Sequence, residues 1–155
     1  MSRSVVENLK RYSEFCRITK VFDRNLKMLK YHSVKDGKVK AEFNVTEDHL
    51  DNEGHLHTGL ITTLIDMTSV RALFTHRNGF VGMSINIHTS YFQPALLGDV
   101  ICVDAEVCKI LQLIGAMPIA FVDVELSKKN GVQAKNVIAR GQHLLTTFKE
   151  PSKNV

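Results

Sequence analysis

One carboxylate stands out in this sequence: Asp66, set between Ile65 and Met67 inside the largely apolar run from Thr58 to Arg77. An unpaired charge in a protein core costs several kcal/mol, so an acid here needs partners, solvent or a chemical task. Thr62, Thr63, Ser69 and Arg71 show that the run also has a polar stripe, on which Asp66 could simply be solvated. Directly before the run stands His55-Leu56-His57-Thr58-Gly59. If a helix starts there, its first N–H groups point outward and its dipole favours negative charge, which suits a developing oxyanion. A carboxylate that activates water and an N–H that holds a carbonyl oxygen would together suffice for acyl transfer to water. The two histidines could equally cap the loop, and with no third ligand at a recognised spacing they do not make a metal site. The chain has no nucleophilic-serine elbow and no glycine-rich phosphate loop.

Geometry constrains how these residues could cooperate. His57 and Asp66 are nine residues apart, which on a helix is about 13 Å of rise and roughly half a turn of net rotation. One subunit cannot bring both to the same reacting atom. Joint action therefore requires Asp66 of one copy to meet the His57 loop of another, and with it a homodimer.

The elements that must hold them are readable from periodicity. Val6, Leu9, Phe15, Ile18, Val21 and Phe22 give a loose helical spacing over Val5 to Leu29. Two strands follow between Lys30 and Val45, turned by Asp36-Gly37. Thr46 to His57 is a polar loop, long enough to suggest a role. Thr58 to Arg77 is the strongest helix, apolar around most of its circumference and hence buried, with Asn78-Gly79 as its stop. Val81 to Phe92, Asp99 to Ile110, Ile119 to Leu126 and Val137 to Phe148 alternate as strands, with a turn at Lys128 to Gly131. Short connections predict an antiparallel meander. The expected fold is α+β: an antiparallel five- to six-stranded sheet wrapped around a long central helix, with an N-terminal helix over residues 1–30 packed on a single domain of residues 31–150.

At 155 residues and 44% hydrophobic, the chain can enclose one core. No apolar run is long enough to span a bilayer. Lys and Arg are spread too evenly for a nucleic-acid footprint. Cys102 and Cys108 lie in an alternating apolar segment and read as small buried thiols, and with Cys16 they indicate a reducing compartment. The basic N-terminus lacks the apolar centre of a signal peptide, and Glu7, Glu14 and Asp23 argue against a transit peptide. The expected location is cytoplasmic, with mitochondria as the second choice.

Four segments carry a resemblance: Gly54-His-Leu-His-Thr-Gly-Leu to Asp66, Ser84-Ile-Asn-Ile-His-Thr-Ser-Tyr91, Pro94-Ala95 with Gly98-Asp99, and Ala139-Arg-Gly-Gln-His143. Together they resemble the phenylacetate-type (PaaI-like) hotdog-fold acyl-CoA thioesterases, within them the acyl-coenzyme A thioesterase 13 branch, from about Lys38 to His143. The resemblance implies a homodimer with two shared sites that assembles into a homotetramer. It implies hydrolysis of medium- to long-chain acyl-CoA without metal, coenzyme A being part of the substrate and no other cofactor being needed. It makes Asp66 either the base that activates water or the attacking carboxylate, with Ser84 placing the water, and sets His57 and the Thr58 N–H at the thioester carbonyl. Gly59, Tyr91, Phe92, Gln93, Pro94, Ala95, Leu96, Lys109, Arg140 and His143 become the implied contacts to substrate and coenzyme A.

The chain departs from that pattern in three places. Thr58 stands where the family has glycine. Asp51 stands where it has asparagine, with Asn52 alongside to take that role. Ile110 to Pro118 replaces a short basic turn with a longer apolar one. The first two departures motivate a second expectation, a catalytically weak hotdog protein that binds acyl-CoA or a protein partner.

Overall fold

The structure is a computed structural model that describes residues 3–76, 80–112, 117–129 and 136–149. Helix α1 spans Arg3–Ile18 and is followed by a 3-10 turn at Phe22–Leu26. Strands β1 (Lys30–Lys35) and β2 (Lys38–Asn44) form a hairpin. Its turn needs Gly37, whose φ of 69° is left-handed backbone. Helix α2 runs from Thr58 to Thr75, and the strands β3 (Phe80–Tyr91), β4 (Val100–Leu111), β5 (Ile119–Lys128) and β6 (Asn136–Lys149) complete the chain.

All six strands form one antiparallel sheet in the order β1-β2-β4-β5-β6-β3. The wrapped-helix architecture is the one expected, but the strand order corrects the simple meander. β3 follows α2 in sequence yet pairs only with β6, at the far edge, and residues 92–99 carry the chain back to the middle of the sheet. Periodicity could not reveal this, because strand order is set by what α2 must cover rather than by local spacing. The crossover is pinned at both ends: the Phe92 N–H donates to the Ile138 carbonyl (2.9 Å) and the Val45 N–H to that of Asp99 (2.9 Å).

The apolar stripe of α2 explains its position. Leu64, Ile65, Ala72 and Leu73 are fully buried against Val103, Val124, Leu126 and Leu145 of the sheet. Each Leu or Ile sealed in this way contributes roughly 1.5–3 kcal/mol. The stop at Asn78-Gly79 lies outside the described residues. The segment before β1 adds Cys16, Leu26 and Leu29 to the same core. It is clasped to α2 by Arg71, whose guanidinium lies 3.6 Å from the centre of the Tyr12 ring. The Tyr12 hydroxyl in turn bonds the Asp23 carboxylate, and burial raises its pKa.

Strand β4 corrects one expectation. Ile101, Val103 and Ala105 face inward, so Cys102 is only half-buried and Cys108 is exposed. Both phases of β4 are apolar near its start, and a bulge between Val107 and Lys109 shifts the register there. The thiol of Cys16 is the buried one.

Candidate active site

The loop that leads into α2 is fixed before the helix begins. Asp51 to Gly54 is a tight turn (Gly54 N–H to Asp51 carbonyl, 3.1 Å), with Gly54 at φ 81°. The Asp51 carboxylate accepts from the N–H groups of Glu53 (2.9 Å) and His55 (3.0 Å). Those bonds, the one to His55 foremost, hold its pKa below the usual carboxylate range. Asp51 is therefore a negative charge spent on the turn. Asn52 sits exposed at the tip, and its amide has no partner among the described residues. The loop is also tied to the crossover, since the Leu56 N–H donates to the Ala95 carbonyl at 2.8 Å and His55 bridges Leu96.

His57 is the N-cap of α2 (φ −59°, ψ 126°), and its Nδ1 accepts from the Gly59 N–H at 2.9 Å. An accepting Nδ1 carries no proton, so the neutral ring holds its proton on Nε2 and can donate it outward. The N–H groups of Leu60 and Ile61 both reach the His57 carbonyl (2.9 and 3.1 Å). Of the first four helical N–H groups, only that of Thr58 lacks an acceptor among the described residues. Tyr91, at the end of β3, leans over this end of the helix, its hydroxyl 2.8 Å from Thr62 Oγ1.

Two turns further on, Asp66 projects from the side of α2 that faces β6. Its side chain is 39% exposed and that of His143 is 0%, with Nδ1 of the ring 3.8 Å from the carboxylate. Ser69 donates to the Asp66 carbonyl (2.7 Å) and lies 2.5 Å from His143 Nδ1. A hydroxyl already donating must accept from the ring, so the His143 proton is on Nδ1 and Nε2 is a bare, buried acceptor, unpartnered among the described residues. Burial lowers the pKa of His143, against the smaller opposing pull of Asp66. His143 is thus turned toward the Asp66 carboxylate and sealed from solvent in this subunit.

That burial has a measurable consequence. A histidine whose folded pKa is lowered binds fewer protons than in the unfolded chain, so stability falls as pH drops through the unfolded value, about 6.5. His143→Gln should retain a donor to Ser69 and flatten that slope, read by urea unfolding above and below this pH.

The other expected contacts are spread over the molecule. The register of β3 places Ser84 opposite Leu145 and Ile87 opposite His143, so Ser84 lies on the sheet face that α2 covers. Arg140 points the other way, pairing with Glu125 (2.9 Å) near the Phe92 ring on the outer face. Gln93 is held by the Val137 carbonyl (2.9 Å), and Leu96 gives its N–H to Asp99 (2.8 Å). Lys109 is exposed at the β4 bulge, and part of the apolar turn after it, residues 113–116, lies outside the described residues. Among the described residues, no group of three or more His, Cys, Asp or Glu side chains is placed to hold a metal ion.

A cleft of about 620 Å³ adjoins His57, Gly59, Leu60 and Thr63; its opposite wall is Phe22, Arg24, Lys27 and Met28. The expected N-terminal helix covers this wall, which is instead built on the 3-10 turn Phe22–Leu26.

A six-stranded antiparallel sheet curled around a central helix is the hotdog fold, and the proteins this chain is similar to make it a thioester hydrolase. The thioesterase superfamily profile matches residues 53–112, and the chain belongs to that family. Human acyl-coenzyme A thioesterase 13 is 32% identical over 140 residues, which cover 90% of this chain and 94% of that one. The crystal structure of zebrafish thioesterase superfamily member 2 superposes with a TM-score of 0.77 at 29% identity, covering 90% of this chain and 95% of its own. Its mouse counterpart gives 0.74 at 30% identity, covering 94% and 98%.

Proposed function

We propose that this chain hydrolyses medium- to long-chain acyl-CoA to a free fatty acid and coenzyme A, at two equivalent sites shared across a homodimer. The observation that carries the reading is the Thr58 N–H, the donor at the start of α2 that has no acceptor among the described residues. In this reading the thioester oxygen that gains charge sits at that N–H, with the His57 Nε2–H as a second donor. Threonine in place of glycine leaves that donor intact. The Asp51 carboxylate is engaged by the N–H groups of its own turn, and Asn52 stays available.

The second half of the site comes from another copy. β3 is a twelve-residue edge strand that exposes Met83 and Ile85, and such an edge is a template for pairing. Joining two β3 edges would continue the sheet and bring Asp66 of each subunit toward the His57 loop of the other. Water then attacks the carbonyl carbon while its proton passes to Asp66. The tetrahedral oxyanion rests on the Thr58 N–H, the C–S bond breaks, and the departing thiolate takes the proton. Ser84, on the β3 edge, would help place the water, and Asp66 stays oriented by His143. Outer sheet faces, with their rows of Lys38–Glu106, Lys40–Asp104 and Arg140–Glu125 pairs, are left for two dimers to meet as a tetramer.

The cleft beside His57 gives the acyl chain apolar room on Phe22, Met28, Leu50 and Leu60. Human acyl-coenzyme A thioesterase 13, by its name, acts on the same substrate class. Coenzyme A release should be measured over acetyl-, octanoyl-, lauroyl- and palmitoyl-CoA. Turnover that rises from acetyl to the longer chains is expected. Tight binding by calorimetry with no thiol released would replace this reading with the binding-only one.

A further inference from the structure

Charge is not shared evenly along the chain. Residues 1–30 hold eight Lys or Arg against three acidic residues, a net +5, whereas the remaining 125 hold twelve against thirteen, a net −1. The sheet's cations are largely consumed: Lys38, Lys40, Lys128, Lys129 and Arg140 each have a carboxylate partner. In the N-terminal segment, Arg17, Lys20 and Lys27 are exposed and have no ion-pair partner among the described residues.

The same short stretch displays the largest exposed apolar side chains of the segment. Ile18 is 82% exposed, Phe22 61%, Val21 55% and Phe15 44%. The inward face of α1 is satisfied by other residues, Leu9, Tyr12 and Cys16, so these four are surplus to the core. Arg24 folds back onto the carbonyls of Lys20 and Val21 (2.6 and 3.4 Å), setting its charge beside Val21. A bulky apolar tip ringed by free cations is the composition of an interfacial anchor, whose side chains enter the headgroup boundary while its charges meet anionic lipid. A second copy of this chain offers no matching surplus of negative charge, since its remaining residues sum to −1.

We infer that the end of α1 and the following 3-10 turn form a docking surface for an anionic lipid bilayer. Phe22 belongs both to this tip and to the cleft beside His57. Docking would therefore face that cleft toward the membrane, where an amphiphile with a long apolar chain accumulates.

Co-sedimentation of the full chain with vesicles tests this without any substrate, so its outcome is independent of the hydrolase reading. Vesicles of equal parts phosphatidylcholine and phosphatidylserine should retain the protein at low salt and release most of it at high salt. The double variant Ile18→Glu/Val21→Glu should bind about tenfold less, while its thermal melt and elution volume match the parent. Equal binding to pure phosphatidylcholine, or no binding to either, would overturn the inference. So would a variant that binds vesicles like the parent, or one that changes only the oligomer size; the latter would assign the tip to a second copy.

Discussion

Asp66→Asn is expected to lower the turnover of acyl-CoA by about a thousandfold, the scale of losing one positioned general base, with KM little changed. Asparagine matches aspartate in shape and keeps a hydrogen-bonding head near His143. The side chain is 39% exposed and contributes little to the core, so the melting temperature should hold. A complementary variant removes the other half of the site. Thr58→Pro deletes only the N–H that has no acceptor, at the first helical position, where proline is tolerated. His57 before it is already extended (φ −59°, ψ 126°), as a residue preceding proline must be. Turnover should fall by a hundredfold or more, the scale of one lost oxyanion donor.

Mixing the two dead variants after unfolding and refolding then separates shared from private sites. If Asp66 of one subunit serves the helix start of the other, every mixed dimer has one intact site and one doubly damaged site. Random assortment makes about half the dimers mixed, so activity should recover to about a quarter of the parent's. A mixture no more active than its parts would mean that each subunit works alone and would remove the shared site from the mechanism.

What could be read in the sequence depended on how local each feature is. The hairpin announced itself through Asp36-Gly37, and α2 through Leu60, Leu64, Leu73 and Phe74, because turn chemistry and helical spacing are properties of neighbours. The location of β3 beside β6 was not legible: Val81 to Phe92 alternates in the same way whichever strand it joins. Cys102 was misplaced for a related reason, since the apolar residues on both phases of β4 leave its facing to the partner strands. Within the site, the resemblance pointed to Asp66, His57 and Thr58, and the helix start is where the structure puts the last two. It could not say that the Asp51 carboxylate would turn inward to Glu53 and His55. Nor could it say that His143 would be sealed beneath α2, because both depend on groups far away in sequence. The cleft wall from Phe22 to Met28 was not legible because it forms only where that stretch folds beside Leu60.

Gly141→Ala is expected to destabilise the protein by about 3 kcal/mol, the upper range for overpacking a dense core. Gly141 lies on β6 between Thr89 and Val124, where the backbone suits any residue. What excludes a side chain is α2: a Cβ there would stand 2.3 Å from Ile65 Cγ2, 2.8 Å from Cδ1 and 2.9 Å from Cγ1. Ile65 is wholly buried, and a β-branched residue in a helix has essentially one χ1 rotamer. The helix must therefore lift from the sheet. Ile65→Val would keep the nearest atom and should give no rescue. Ile65→Ala removes all three atoms; although it costs about 2–5 kcal/mol alone, combined with Gly141→Ala it should lose less than the sum of the two. A favourable coupling of about 2 kcal/mol in that double-mutant cycle, by urea unfolding, is the expected sign. Simple additivity would show that the contact does not set the helix height. That height also matters for chemistry. Asp66 follows Ile65 directly, and His143 is two residues beyond Gly141 on the same sheet face, so this contact also bears on the distance between the carboxylate and its histidine. In the Gly141→Ala chain, kcat should drop further than the folded fraction accounts for, and Ile65→Ala should restore it together with stability.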